Sequence, residues 1–193
     1  MGPELYVNII GHPGVGKSRA VAKLAKHEAI AVIKPSDLIR DYASQNGFIL
    51  ASREDYVQCH AQMRRQNPTC FTDPALNSNS LVVVYDGLRV PADVATLRAS
   101  KKTIVIALLA PIAIRYSRAD DNREERGNRD HASIQAFKRD EQYDYFSPSP
   151  DGPNVLQVIR EADVWINTAE LTRLETVNAV TDVVTASALA AVA

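Results

Sequence analysis

The chain has 193 residues, 46% of them hydrophobic, which is enough for one sizeable core and predicts a single domain over residues 1–193. A formal net charge of −1 excludes a general pull toward nucleic acid or acidic membranes, so neither is expected as a partner. The two cysteines, Cys59 and Cys70, have neither CxxC nor metal-ligand spacing and are expected as reduced thiols; with no basic leader and no apolar run of bilayer length, the chain is expected in the cytoplasm.

LYVNII, residues 5–10, is an apolar, β-branched run that predicts a strand buried on both faces, and KSRAVAKLAKHEA after it predicts a helix. AIAVI at 29–33 predicts a second strand. Ser36 is a candidate cap for a helix from Asp37 to Asn46 with Gly47 just past its end, and SRED at 52–55 resembles a capping box opening a helix that stops before Asn67-Pro68. Asp73-Pro74 and Val90-Pro91 place proline at first helical positions. LVVVY (81–85), TIVIALL (103–109) and DVWIN (163–167) predict the remaining strands, and the terminal ALAAVA ends a helix expected to pack on the chain's own core. Strand and helix thus alternate, which predicts an α/β fold: a three-layer α/β/α sandwich around a central, mainly parallel five-stranded sheet.

Between the first strand and the first helix lies GHPGVGKS, Gly11 to Ser18, which satisfies G-x-x-x-x-G-K-[ST] in the strand–loop–helix context that the motif requires. Glycines let the backbone wrap so that successive N–H groups converge on phosphate oxygens, and the helix N-terminus adds a favourable dipole. Gly11, Gly14, Val15, Gly16, Lys17, Ser18 and Arg19 are the candidate nucleotide-binding residues; Lys17 is placed to neutralise the β and γ phosphates of ATP and Ser18 to offer a hydroxyl to Mg²⁺. His12 is expected to be a variable position of the loop. No N-K-x-D guanine-reading motif is present, which argues against a GTPase. Kinase, switch-type hydrolase and regulatory ATP-binding protein remain as alternatives, because a phosphate loop does not name a reaction.

LVVVYDG ends its strand on Asp86, a second candidate ligand of Mg²⁺. Asp37 and Arg40 lie three residues apart on one helix, and Arg89 follows in DGLR; bidentate guanidinium groups there would clamp a phosphorylated acceptor opposite the ATP. The segment 114–130 holds five arginines among five acidic residues and is expected to form a lid, with Arg115, Arg118 or Arg123 brought to the transferring phosphate.

In this order the residues resemble the P-loop nucleoside monophosphate kinase family, adenylate kinase-like or more distantly dephospho-CoA kinase-like, with the D-G-x-R form of archaeal and phage-type nucleotide kinases. GHPGVGKS is similar to the ATP loop of that family, SDLIRDYA to its acceptor-binding segment, YDGLR to its D-G-x-P-R segment, and the arginine-rich stretch with FKRDEQYD to its lid. Ser36 stands where the family has glycine, and DGLR lacks the proline. The resemblance implies transfer of the γ-phosphoryl group of ATP to a nucleoside or deoxynucleoside monophosphate, with Lys17 and Ser18 on ATP and Mg²⁺, Arg40 and Arg89 on the acceptor phosphate, and Arg115 and Arg118 in the lid; Lys17, Arg115 and Arg118 are thus the catalytic candidates, beside Asp37 for the acceptor and Asp86 for the metal from the residues themselves. It also implies a helical acceptor-binding region at about 34–80, a lid at about 114–131, and a monomer or homodimer.

Overall fold

The computed structural model describes residues 2–120, 133–145 and 152–192. Its five strands, β1 (Leu5–Ile10), β2 (Ile30–Ile33), β3 (Val82–Asp86), β4 (Thr103–Leu109) and β5 (Val164–Asn167), form one sheet in the order β2-β3-β1-β4-β5. Among the described residues every pairing is parallel. Parallel neighbours need a crossover, and helices supply it. These are α1 (Lys17–Leu24), α2 (Pro35–Asn46), α3 (Arg53–Gln66), α4 (Asp73–Leu76), α5 (Pro91–Ser100), α6 (Ile112–Asp120), α7 (Ile134–Tyr145), α8 (Val155–Arg160) and α9 (Arg173–Val192).

The central strand β1 is buried along its whole length, as its unbroken apolar run requires. Alternate residues face two separate apolar layers. On one side Tyr6, Val83 and Tyr85 pack with Ile39, Cys59, Met63, Leu97 and Val158 from α2, α3, α5 and α8. On the other, Val7, Ile9 and Val84 pack with Ala20, Val21 and Leu24 of α1 and Val180 and Val184 of α9. The terminal helix is therefore part of this core. Both cysteines are free thiols, Cys59 buried against the Ile39 carbonyl.

Helix ends follow local chemistry closely. Ser52 caps α3 through the Asp55 N–H while the Asp55 carboxylate accepts from the Ser52 N–H, the reciprocal box that SRED predicts. Gly47 closes α2 in the left-handed region at φ 72°. The start of α2 corrects the expectation for Ser36: Lys34 is the capping position and Pro35 the first helical residue, because the fixed φ of proline suits that place. Helix α1 stops at Leu24, short of the predicted KHEA turn, and the chain turns through His27 to enter β2.

Candidate active site

Helix α1, which follows β1, lies on one face of the sheet, while α5, which follows the adjacent strand β3, lies on the other. Where neighbouring parallel strands send their connections to opposite faces, a crevice opens beyond their carboxyl ends. The loop 11–16 and the turn 87–90 form its two lips, since Ile9 of β1 is in register with Asp86 of β3.

Gly11, Gly14 and Gly16 adopt φ of 148°, 83° and 101°, which side-chain-bearing residues rarely reach. A Cβ on Gly11 would lie 2.4 Å from the Leu108 carbonyl oxygen, and one on Gly14 would lie 2.4 Å from that of Arg115. Val15 is buried between them, and Lys17 curls back so that its ammonium donates to the carbonyls of Gly11 and His12. The helix start beyond is unusual. Gly16 offers α1 no side-chain cap, and the first turn holds Lys17 and Arg19 but no acid. Uncapped N–H groups and cations at the positive end of a helix dipole are unfavourable by themselves and favourable around an anion. Beside this turn Gly14, Val15, Gly16, Arg19, Arg118, Leu171, Arg173 and Thr176 line a cavity.

The loop is supported from behind by α6. Arg115, only 4% exposed, donates from Nε to the Ala110 carbonyl at 2.9 Å and from Nη1 to the Pro13 carbonyl at 3.3 Å, and forms a buried ion pair with Glu141 of α7. Its guanidinium lies 5.7 Å from the Phe137 ring centre. One turn on, Arg118 donates to the carbonyl of Thr168 at 2.6 Å and to its hydroxyl oxygen at 3.1 Å. That buried hydroxyl lies 3.2 Å from the carbonyls of both Val15 and Leu109, so Thr168 ties the loop, the end of β4 and Arg118 together.

The opposite lip is built from side chains. Asp86 sits half-buried at the end of β3. Asn8, fully buried in the middle of β1, accepts from the Leu88 N–H and donates to the Leu88 carbonyl, both at 2.9 Å, and so fixes the turn that carries Arg89. Arg89 and Arg64 both bear on His60, whose ring stacks on Phe71 at 4.7 Å; burial first, then these two cations, push its imidazole down to about 4. Arg64 is itself buried and held by Asp93 of α5 at 2.9 and 3.0 Å. Asp37 and Arg40 pair with each other on α2, both roughly half exposed; a hydrogen bond to Tyr56 first, and then the charge of Asp37, raise Arg40 above its ordinary value.

No protein-family model and no curated relative matches the chain. Solved structures do. A gluconokinase from Sinorhizobium meliloti 1021 aligns over 97% of this chain and 95% of its own, at 14% identity and a TM-score of 0.53. Shikimate kinase from Aquifex aeolicus vf5 aligns over 95% and 98%, at 14% identity and 0.55. A tunicamycin resistance protein of Deinococcus radiodurans aligns over 95% and 96%, at 14% identity and 0.55. The fold is that of the P-loop kinases.

On this fold Gly11, Gly14, Val15, Gly16, Lys17, Ser18 and Arg19 lie on the loop and the first turn of α1, with Asp86 and Arg89 at the end of β3 and in the turn beyond it. Arg115, expected as a lid residue, lies behind the loop, its guanidinium buried against Glu141 and donating to the Pro13 carbonyl. Arg118 lines the cavity beside Gly16, while Arg123 and the rest of the predicted lid, 121–131, lie outside the described residues. Sequence reasoning missed Asn8, Glu141 and Thr168. Only Asn8 carried a signal, a polar residue within an otherwise apolar strand.

Proposed function

We propose that the protein is an ATP-dependent kinase of a small phosphorylated acceptor, a nucleoside or deoxynucleoside monophosphate. The observation that carries this reading is the uncapped, cationic start of α1, facing across the β1–β3 crevice a lip that holds Asp86 and Arg89. A protein that merely held ATP has no need of an arginine-bearing lip opposite its phosphate loop.

Gly11, Gly14, Val15 and Gly16 would wrap the phosphates, with Lys17 leaving its loop carbonyls for phosphate oxygens and Arg19 and Arg118 at the sides of the nucleotide. Ser18 and Asp86 fit Mg²⁺: they supply a hydroxyl and a carboxylate oxygen, while no cluster of three His, Cys, Asp or Glu that would cage a metal occurs among the described residues. Magnesium held by so few protein oxygens completes its shell with water and phosphate. When bound, it neutralises charge on the transferring group. Arg40 and Arg89 would orient the acceptor phosphate in line, and its oxygen is already nucleophilic, so positioning and charge neutralisation supply the rate. The acceptor-binding region is then 34–80.

A second reading is favoured by Asp37, a half-exposed carboxylate beside Arg40: it suits a hydroxyl acceptor that needs a base, as in a dephospho-CoA kinase-like enzyme. Gluconokinase and shikimate kinase among the structural neighbours belong with it. ADP production from Mg-ATP across ribo- and deoxynucleoside monophosphates, dephospho-CoA, gluconate and shikimate separates the two. Stimulation by a monophosphate supports the first reading; stimulation by a hydroxyl acceptor alone replaces it with the second. A flat panel with ATP bound leaves a regulatory ATPase.

A further inference from the structure

Two helices lie behind the phosphate loop, and one buried ion pair joins them to it. Arg115 projects from α6 and makes three kinds of contact at once: the Ala110 carbonyl, the Pro13 carbonyl and the Glu141 carboxylate. The pair is almost wholly excluded from water, with side chains 5% and 1% exposed. Its Nη2 lies 3.2 Å from the second carboxylate oxygen, so both guanidinium arms engage Glu141, and Phe137 covers the cation. The backbone of the same residue crowds the loop from the other direction, for its carbonyl oxygen lies 2.4 Å from where a Cβ on Gly14 would be.

A buried ion pair is a poor source of stability, since desolvation offsets much of its attraction. An apolar pair of similar size would join α6 to α7 equally well. What an apolar pair lacks is a donor for the Pro13 carbonyl. In a phosphate loop the N–H groups must turn inward, and while the Gly11 and His12 carbonyls accept from Lys17, those of Pro13 and Val15 need partners at the back. Pro13 brings no N–H of its own to the loop, and its carbonyl is held by Arg115. The next held carbonyl, that of Val15, is met by Thr168, which Arg118 fixes in turn.

We propose that Arg115 and Glu141 are positioning residues for the nucleotide: Glu141 orients the guanidinium, and the guanidinium holds the Pro13–Gly14 peptide so that the loop stays preorganised for phosphate. This rests on the nucleotide-binding reading above. It makes Arg115 a support of the loop with no contact to the transferring group.

The test is the double variant Arg115→Met/Glu141→Leu, which removes both charges together and so avoids a stranded buried ion. Thermal unfolding near that of the wild type, with the dissociation constant for Mg-ADP and Mg-ATP raised about tenfold, is the expected result, the loss of one hydrogen bond to a charged donor. Amide exchange of residues 14–17 in the nucleotide-free protein should quicken while β1 and β4 keep their protection. Wild-type affinity and wild-type exchange in the double variant would overturn the proposal and reduce the pair to a helix joint. Should the double variant fail to fold, Arg115→Lys keeps the charge beside Glu141 but cannot span all three partners; it is expected to show the same weakening, and unchanged affinity there also overturns the proposal. Failure of the underlying reading looks different: the wild type would not bind Mg-ATP, whereas the exchange comparison would still report on the loop.

Discussion

The two lips of the crevice are made of different material. The phosphate lip is backbone: three glycines at positive φ, carbonyls held from behind by Arg115 and Thr168, and an uncapped helix start. The lip proposed for the acceptor rests on side chains of three separate elements, Asp37 and Arg40 on α2, His60 and Arg64 on α3, and Arg89 on a turn pinned by Asn8. Phosphate is the same in every nucleotide, so a backbone cradle suffices for it. An acceptor differs from one enzyme to the next, and variable side chains on a stable frame are how a fold changes substrate.

The sharpest way to separate the lips is Lys17→Ala, which should lower ADP production by about 10²–10³-fold at saturating acceptor. Acceptor binding, measured by calorimetry, should survive it; a parallel loss of both would mean that the lips are not independent. Next in size is Asn8→Leu. It keeps the branched outline but orphans the Leu88 N–H and carbonyl, costing about 4 kcal/mol in urea unfolding. In the fraction that remains folded the acceptor KM should rise and the ATP KM stay put, and an ATP effect would place the damage in β1 itself.

His60 gives a pH handle on the acceptor lip alone. Its imidazole is lowered in the folded chain from 6.5 to about 4, so the unfolded chain takes up the proton first. Stability is therefore complete above pH 6.5 and falls as pH drops toward 4, by roughly 2–3 kcal/mol. His60→Phe, which keeps a ring on Phe71, should flatten that part of the unfolding profile, and an unaltered profile would show another group responsible. The smallest stability change belongs to Arg40→Ala, within about 0.5 kcal/mol because its pair with Asp37 is exposed. The same variant should raise the acceptor KM about tenfold through a lost charge-assisted contact. An unchanged KM would remove α2 from the acceptor site.

The difference between the lips also explains what could be learned from the sequence. Gly11, Gly14 and Gly16 were legible because a positive φ and a close backbone approach leave glycine as the residue that fits, and the lysine and serine follow at fixed spacing. Strands were legible for a similar local reason: burial on both faces forces runs such as TIVIALL. The box of Ser52 and Asp55 is a contact within one turn and could be seen in four letters. The placement of Arg115 was not legible because its partner Glu141 lies 26 residues away, and no local rule links them. Glu141 itself stands in FKRDEQYD, which has the composition of a solvated helix, yet the carboxylate is 1% exposed. Ser36 failed for a plainer reason, the preceding proline taking the first helical place. Long-range pairs of charges, unlike glycines, leave no period or spacing behind them.

The chain's single tryptophan, Trp165, is half exposed on β5 and donates its indole N–H to the Ile159 carbonyl at the end of α8. Directly after its strand begins the turn 168–171, whose carbonyls hold Arg118 beside the loop cavity. The protein thus carries an optical gauge of its own, one indole on the strand that leads into this turn beside the loop cavity. Its emission colour and quenching by iodide would follow a titration there without any attached dye.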